Sequence, residues 1–452
     1  MDMNRIELEV QSPSTHAGTS SRVEADLERE SNLGSGTAHG HEFSLAPVDR
    51  GRDAWMFLTA AFMVEVLVWG FPFAYGLFQE FYSSHEPFAG SKNIAVIGTC
   101  AMGVMYLSAP LVFGTLQRFP RLKRPAVVFG LITMCIGLGL SSLSQNVTHL
   151  IVTQGVFYAV GGGLVYSPTI LFMDEWFVKK KGFAFGVMWA GTGLGGVLIP
   201  LLLQYLLNNY GFRTTLRCWS IILFLATAPL TYFLKPRLPI SQTRNPRPWN
   251  LSFLFTPTFL LLQTGNILEG LGYFVPSIYL PTFARQLGAS GEVSALTIIL
   301  FNIASVFGCI LMGLIIDRWH VTTCILLSTI GSTLSIFLIW GFSTCLPPLF
   351  IFSLLYGLFA GSFSSTWPGI MVAVKQHSGA ADADSSMVFA MLAAGRGIGN
   401  VVCGPVSEAL KTGGKWDAVG VYGDGYGTLV VFTGVSAALG GIGVLGRRVG
   451  WV

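Results

Sequence analysis

Twelve apolar stretches, each of bilayer-spanning length, follow one another along this chain and leave little sequence for anything else. A helix that crosses the hydrocarbon core needs about 20 mostly apolar residues. The first six run Trp55–Phe81, Ile94–Leu116, Ala126–Leu143, Leu150–Trp176, Phe183–Leu207 and Leu216–Leu234. After a polar break they resume as Phe255–Leu280, Ser294–Ile316, Thr323–Phe342, Pro348–Val374, Met387–Leu410 and Thr428–Leu445. Lipid cannot satisfy backbone N–H and C=O groups, so such stretches must bond within themselves, as helices. The chain is 11% charged, against about 25% in a soluble domain, so it has no polar shell to present to water. The reading is an all-α membrane protein with twelve transmembrane helices in two sets of six.

Residues 1–50 differ from everything after them. They are rich in Ser, Thr, Gly, Glu and Arg, have no sustained apolar period, and read as a disordered cytoplasmic tail. No apolar stretch lies near Met1, so no cleavable signal peptide is expected. Residues 51–234 then form the first six-helix bundle, 235–254 a cytoplasmic linker and 255–452 the second bundle.

Basic residues set the orientation. With the amino terminus inside, the inner connections carry Arg118, Arg121, Lys123, Arg124, Lys179, Lys180 and Lys181. Lys235, Arg237, Arg244, Arg247, Arg447 and Arg448 fall on the same side. The opposite face holds Lys92, Arg213, Arg217, Arg285, Lys411 and Lys415. The excess on the side of both termini obeys the positive-inside rule, and an odd helix count would destroy that agreement. A net charge of +4 gives no pull towards nucleic acid, and the seven scattered cysteines show no CxxC spacing. No cofactor is implied, and the chain is expected to act as a monomer in a lipid bilayer.

The two halves repeat. Gly114-Thr-Leu-Gln-Arg118 follows the second stretch, and Gly313-Leu-Ile-Ile-Asp317-Arg318 follows the eighth. Gly191-Thr-Gly193-Leu-Gly195-Gly196 lies in the fifth and Gly395-Arg-Gly397-Ile-Gly399-Asn400 in the eleventh. The matches keep order and topology, which describes parallel repeats about an axis along the membrane normal.

The turn Gly313-x-x-x-Asp317-Arg318 resembles the loop motif of the major facilitator superfamily. It reads as a conformational latch, with Asp317 expected to pair with a basic group near a helix end. Gln154-Gly-Val-Phe-Tyr-Ala-Val-Gly-Gly-Gly163, Glu175-Trp-Phe-Val-Lys-Lys-Lys-Gly182 and the two glycine motifs resemble the monocarboxylate-porter family, most of all its fungal branch. That resemblance implies the major facilitator fold, with the first, fourth, seventh and tenth helices around a central cavity. It also marks departures. Where animal lactate carriers have a lysine after a Phe-Pro pair, Phe71-Pro72 is followed by Phe73. Where they have an aspartate and an arginine before Met-Gly, this chain has Ser305 and Cys309. A simple lactate symporter is therefore not expected. Gly191 and Gly195, four apart, read as a smooth packing face.

Charges inside a bilayer cost about 2.5–3.5 kcal/mol each even on the gentler insertion scale, so they mark function or pairing. Glu65, Glu269 and Arg396 lie mid-way along the first, seventh and eleventh stretches. Helical spacing adds Asn266 and Tyr273 to Glu269, Asn400 to Arg396, Trp69 to Glu65, and joins Gln154 to Tyr158. Arg396 is expected to hold the acidic or polar end of a substrate, with Glu269, or else Glu65, carrying a proton. A mutual Glu269–Arg396 pair is the alternative. Trp69, Phe73, Tyr158, Tyr166, Tyr273 and Trp367 suggest an organic substrate larger than lactate.

The leading reading is a secondary transporter of a small anionic or polar-aromatic molecule, with export of a pathway product favoured over nutrient uptake. A transporter-shaped sensor without net flux is the reading from another class. An enzyme is disfavoured because the histidines lie in the tail or near helix ends, and no Gly-x-x-x-x-Gly-Lys-Ser/Thr loop supports ATP-driven transport.

Overall fold

In the computed structural model the described residues are 46–91, 93–238, 250–377, 384–413, 421–423 and 425–451. Most of the expected tail and the middle of the linker, with Arg244 and Arg247, lie outside them, as do Lys92, Lys415 and the side chain of Arg448. Among the described residues every long element is helical. The first four helices are α1 (Arg52–Ser84), α2 (Ile94–Arg118), α3 (Pro120–Ser141) and α4 (Val147–Trp176). A 53-residue stretch, Lys181–Phe233, follows. Gly211, at φ 71°, breaks it where the sequence reads Tyr210-Gly-Phe-Arg213, giving α5 (181–210) and α6 (212–233). Only glycine adopts that backbone readily. The second half supplies α7 (Pro257–Gln286), α8 (Gly291–Ile316), α9 (Val321–Trp340), α10 (Leu346–Gln376), α11 (Ser385–Lys411) and α12 (Gly427–Arg447).

Among the described residues ten stretches, with α5 and α6 counted as one, are long and apolar enough to cross a membrane. The remaining helix, α7, has 30 residues, and its polar stripe lowers its hydropathy. Large apolar side chains cover the outside, among them Phe129 and Leu225, each 66% exposed. A water-soluble monomer rarely shows apolar patches on that scale, and lipid is the solvent that suits them.

Local breaks sit where the sequence puts helix-disrupting residues. Pro72 precedes a kink at Ala74 in α1. Within α4, residues Ile151–Phe157 form a π-turn. Asn146 caps the start of α4 by accepting from the His149 N–H at 2.8 Å.

Packing follows the small residues. Gly195 lies against Val66 and Gly70, so α5 seats on α1. Gly399 lies against Gly270, so α11 seats on α7 in the same way. Two further seams join the halves, α5 on α8 and α2 on α11. On the first, a Cβ at Gly186 would stand 2.4 Å from the Cys309 carbonyl oxygen, so only glycine admits that approach.

Candidate functional site

Between the two seams the helices leave a cavity of about 70 Å³. From the first half it is lined by Glu65, Trp69 and Phe73 of α1, Tyr106 of α2, Tyr166 of α4, and Trp189 and Thr192 of α5. The second half contributes Tyr273 of α7, Ser305 and Cys309 of α8, Trp367 of α10, and Phe389 and Arg396 of α11. Sites for drug-sized ligands usually enclose about 300–1,000 Å³, so the halves must part before such a molecule is held.

The walls are mainly aromatic and mutually braced. Trp69 packs on Tyr106 at 4.5 Å and edge-on to Tyr166 at 5.5 Å between ring centroids. The Trp189 indole donates to the Tyr166 hydroxyl at 3.2 Å, and its ring meets Trp367 edge-on at 5.5 Å. Phe73, Ser305 and Cys309 all line the cavity and bring it an aromatic ring, a hydroxyl and a thiol. Ser305 Oγ is turned to backbone, donating to the carbonyls of Phe301 or Gly357.

Arg396 and Glu269 form a buried pair. The guanidinium donates to Glu269 Oε2 at 2.5 Å, and the two side chains are 2% and 6% exposed. The Tyr273 ring lies under the guanidinium at 4.3 Å, a cation–π contact that desolvation strengthens. This is the mutual Glu269–Arg396 pair that stood as the alternative to Arg396 holding a substrate. The Arg396 charge is already matched, and Glu269 sits behind it rather than on the cavity wall. Bilayer burial demands this pairing, because an isolated guanidinium cannot shed its proton.

Glu65 has no such partner among the described residues. It is 2% exposed, and one oxygen accepts from the Thr192 hydroxyl at 2.7 Å. The other, Oε2, is buried with no hydrogen-bond partner among the described residues. One helical turn on, Trp69 Nε1 is likewise buried and unpartnered.

Four other expected binding residues are placed away from the cavity wall. Gln154 accepts from the Tyr82 hydroxyl at 2.9 Å inside the first bundle. Tyr158 donates to the Val68 carbonyl at 2.8 Å, also within that bundle. Both share a helix with the cavity residue Tyr166, but Gln154 lies about 18 Å and Tyr158 about 12 Å from it along the axis. Helical spacing picks a side of a helix and says nothing of depth. Asn266 is consumed by α11 and α10, donating to the Leu392 carbonyl at 2.8 Å and accepting from Trp367 at 3.2 Å. Asn400, one turn beyond Arg396, does not line the cavity. Sequence reasoning missed Tyr106, Trp189, Thr192 and Phe389. The repeat held a signal for Thr192, which stands in its glycine motif where Arg396 stands in the other.

At one end of the α5–α8 seam, Asp317 accepts from the backbone N–H groups of Gly182 (2.6 Å) and Phe183 (2.9 Å). The expected basic partner is thus replaced by the start of α5, whose first N–H groups have no acceptor of their own. Gly313 touches Gly182 backbone to backbone there. Asp49 completes the site by accepting from the N–H groups of Val178, Lys179 and Lys180 at 2.9–3.0 Å. Arg318 follows in the same turn, its backbone N–H donating to the Ile315 carbonyl at 3.0 Å.

The sequence profile described as Major Facilitator Superfamily matches residues 56–402 and again 264–448, which together take in nearly all of the described chain. The chain belongs to the Major Facilitator Superfamily. The crystal structure of the major facilitator transporter FucP in its outward conformation superposes with a TM-score of 0.63, covering 88% of this chain and 99% of that one. At 14% identity the superposition speaks for the fold alone. Major facilitator relatives include the transporter asaE of Aspergillus flavus, 25% identical over 83% of this chain and 84% of its own. The fujikurins efflux protein of Gibberella fujikuroi is 26% identical over 96% of this chain and 91% of its own. The agnestins efflux protein of Paecilomyces divaricatus is 30% identical over 69% and 71%. By family and by relatives, this major facilitator protein is a transporter and not an enzyme.

Proposed function

We propose that this chain exports a small organic product of fungal metabolism across the plasma membrane by alternating access. The observation that carries this reading is the aromatic cavity between the halves, narrowed in this conformation and bordered by the buried Arg396–Glu269 pair. Relatives named for the export of fujikurins and agnestins support the direction. The motif resemblance supports placement in the fungal branch of the monocarboxylate-porter family. In this reading all twelve helices cross the bilayer, both termini are cytoplasmic, and the protein works as a monomer. The Gly313–Asp317–Arg318 latch then closes the cytoplasmic end.

Transport is driven by protons through Glu269. When Glu269 takes a proton, Arg396 loses its counter-charge and the wall of the cavity changes polarity. Glu65 is the second carrier, since a lone carboxyl in lipid can shed its charge by binding a proton. The test compares metabolites inside and outside cells with and without the gene, followed by counterflow of the accumulated compound in proteoliposomes. Accumulation inside the deletion strain supports export. Absence of flux from the purified chain would turn the assignment to a sensor.

A further inference from the structure

The proposed carrier still lacks a substrate class, and the cavity's unused polar atoms narrow it. Glu269 Oε1, Gln154 Nε2 and Asn400 Nδ2 are also buried without partners, but none of those residues lines the cavity. Glu65 Oε2 and Trp69 Nε1 do belong to cavity residues. The two residues are one turn apart on α1, about 6 Å along its axis, and both are at least nine-tenths buried. One is an acceptor and the other a donor, and a buried polar atom left unpaired costs the full desolvation of that group. Each has a reason to be met by something the protein itself does not supply.

Charge decides the rest. Arg396 is the cation on the wall, and Glu269 neutralises it. Glu65 makes no ion pair among the described residues, and Arg396 is already matched by Glu269, so the described wall holds no unmatched cation for an anionic ligand. Tyr106, Tyr166, Trp189 and Trp367 line the same cavity, and aromatic rings suit a flat conjugated body.

We infer that Glu65 and Trp69 form the recognition pair for a planar, conjugated substrate without net negative charge, one that presents a hydrogen-bond donor beside a carbonyl-type acceptor. The donor meets Glu65 Oε2, the acceptor takes the Trp69 N–H, and the rings of the wall enclose the flat body. This rests on the transporter reading above.

The test uses the full-length purified chain and three probes of similar size: 2-quinolone, whose lactam places N–H beside C=O, N-methyl-2-quinolone, and the anion 2-naphthoate. Tryptophan quenching in detergent reads binding, and counterflow in proteoliposomes reads transport. The parent should bind 2-quinolone saturably, the N-methyl compound about tenfold more weakly, and 2-naphthoate more weakly still. Glu65→Gln should erase most of the difference between the two quinolones. Trp69→Phe, which keeps a ring and loses the N–H, should weaken both by a similar factor. The inference is overturned if the parent fails to bind 2-quinolone, if N-methylation has no effect, or if 2-naphthoate binds best. The ligand comparison on the parent needs no variant to fold. Binding without counterflow would sink the transport reading and leave the recognition pair standing. Counterflow of all three probes at equal affinity would sink the pair alone.

Discussion

Thr192 and Arg396 occupy equivalent places in the repeated glycine motif, and each donates a hydrogen bond to a carboxylate on the first helix of its own half. The flanking glycines repeat their tasks as well. Gly191 and Gly395 lie against α1 and α7, while Gly193 and Gly397 reach across to α8 and α2. The motif therefore brings a helix close to two neighbours and aims its central residue at an acid. The halves differ in what that residue is. Threonine leaves Glu65 without a counter-charge among the described residues, and arginine neutralises Glu269.

Breaking the buried pair should have two separable effects. Arg396→Ala leaves the Glu269 carboxylate unpaired, and removing one partner of a buried pair typically costs about 3–5 kcal/mol. Thermal stability in detergent should fall, and saturable transport should be lost even in the fraction that reaches the membrane. Glu269→Gln imitates the protonated acid. It should lose uphill transport driven by a pH gradient but keep substrate exchange. If this variant still concentrates substrate, the proton belongs to Glu65.

The two acids at the start of α5 should respond to pH with opposite sign. Burial raises the Asp49 pKa, but its bonds to the Lys179, Lys180 and Val178 N–H groups outweigh that and hold it below the ordinary value. Its contribution is present above the usual carboxylate pKa of about 3.9 and disappears as pH falls through the depressed value. Asp49→Ala should cost about 1 kcal/mol at neutral pH, the order of a lost helix cap, and less in strong acid. Asp317 is half-buried, and burial raises its pKa despite the bonds from Phe183 and Gly182, with the charge of Asp49 adding to the rise. The seated, ionised latch therefore loses stability as pH rises through that raised value. Melting curves of the parent and each variant, taken from pH 3 to 8, read both trends.

Asp317→Asn should also alter turnover more than apparent affinity, because the residue touches a helix start and not the cavity. Equal maximal rates for parent and variant under one gradient would remove the latch.

The α5–α8 seam should not tolerate added bulk. A Cβ at Gly186 would meet the Cys309 carbonyl oxygen at 2.4 Å, and one at Gly313 the Gly182 carbonyl oxygen at 2.5 Å. Backbone cannot yield as a flexible side chain does, so Gly186→Val should wedge the halves apart at this end. Cys309, buried on the cavity wall, should then react faster with a maleimide added from that side. Gly139→Ala, where a Cβ meets nothing within 4 Å, is the control and should leave labelling unchanged.

Topology gives the simplest check. Tags at Met1 and Val452 should both resist external protease in intact cells and become sensitive on permeabilisation. Digestion of either tag from outside would remove the reading with both termini in the cytoplasm.

What the sequence determined by itself is the set of features that depend on near neighbours in the chain and on the solvent. Apolar length and the scarcity of charge impose helices that face lipid, since no other backbone can satisfy itself there. The repeat of Gly191–Gly196 at Gly395–Asn400 and the break between the fifth and sixth stretches were legible there, and the structure puts that break at Gly211. The Glu269–Arg396 pair stood among the sequence's alternatives because an arginine in lipid must find a partner. Depth and partnership were decided only in three dimensions. Gln154 and Tyr158 fell away from the cavity because helical periodicity gives the side of a helix and not the level at which the halves separate. Asn266 went to the Leu392 carbonyl and the Trp367 indole, contacts across more than a hundred residues that no local pattern encodes. The same holds for Asp317, whose partner is the backbone at the start of α5. A backbone N–H belongs to every residue type save proline, so no side chain in the sequence could have announced it.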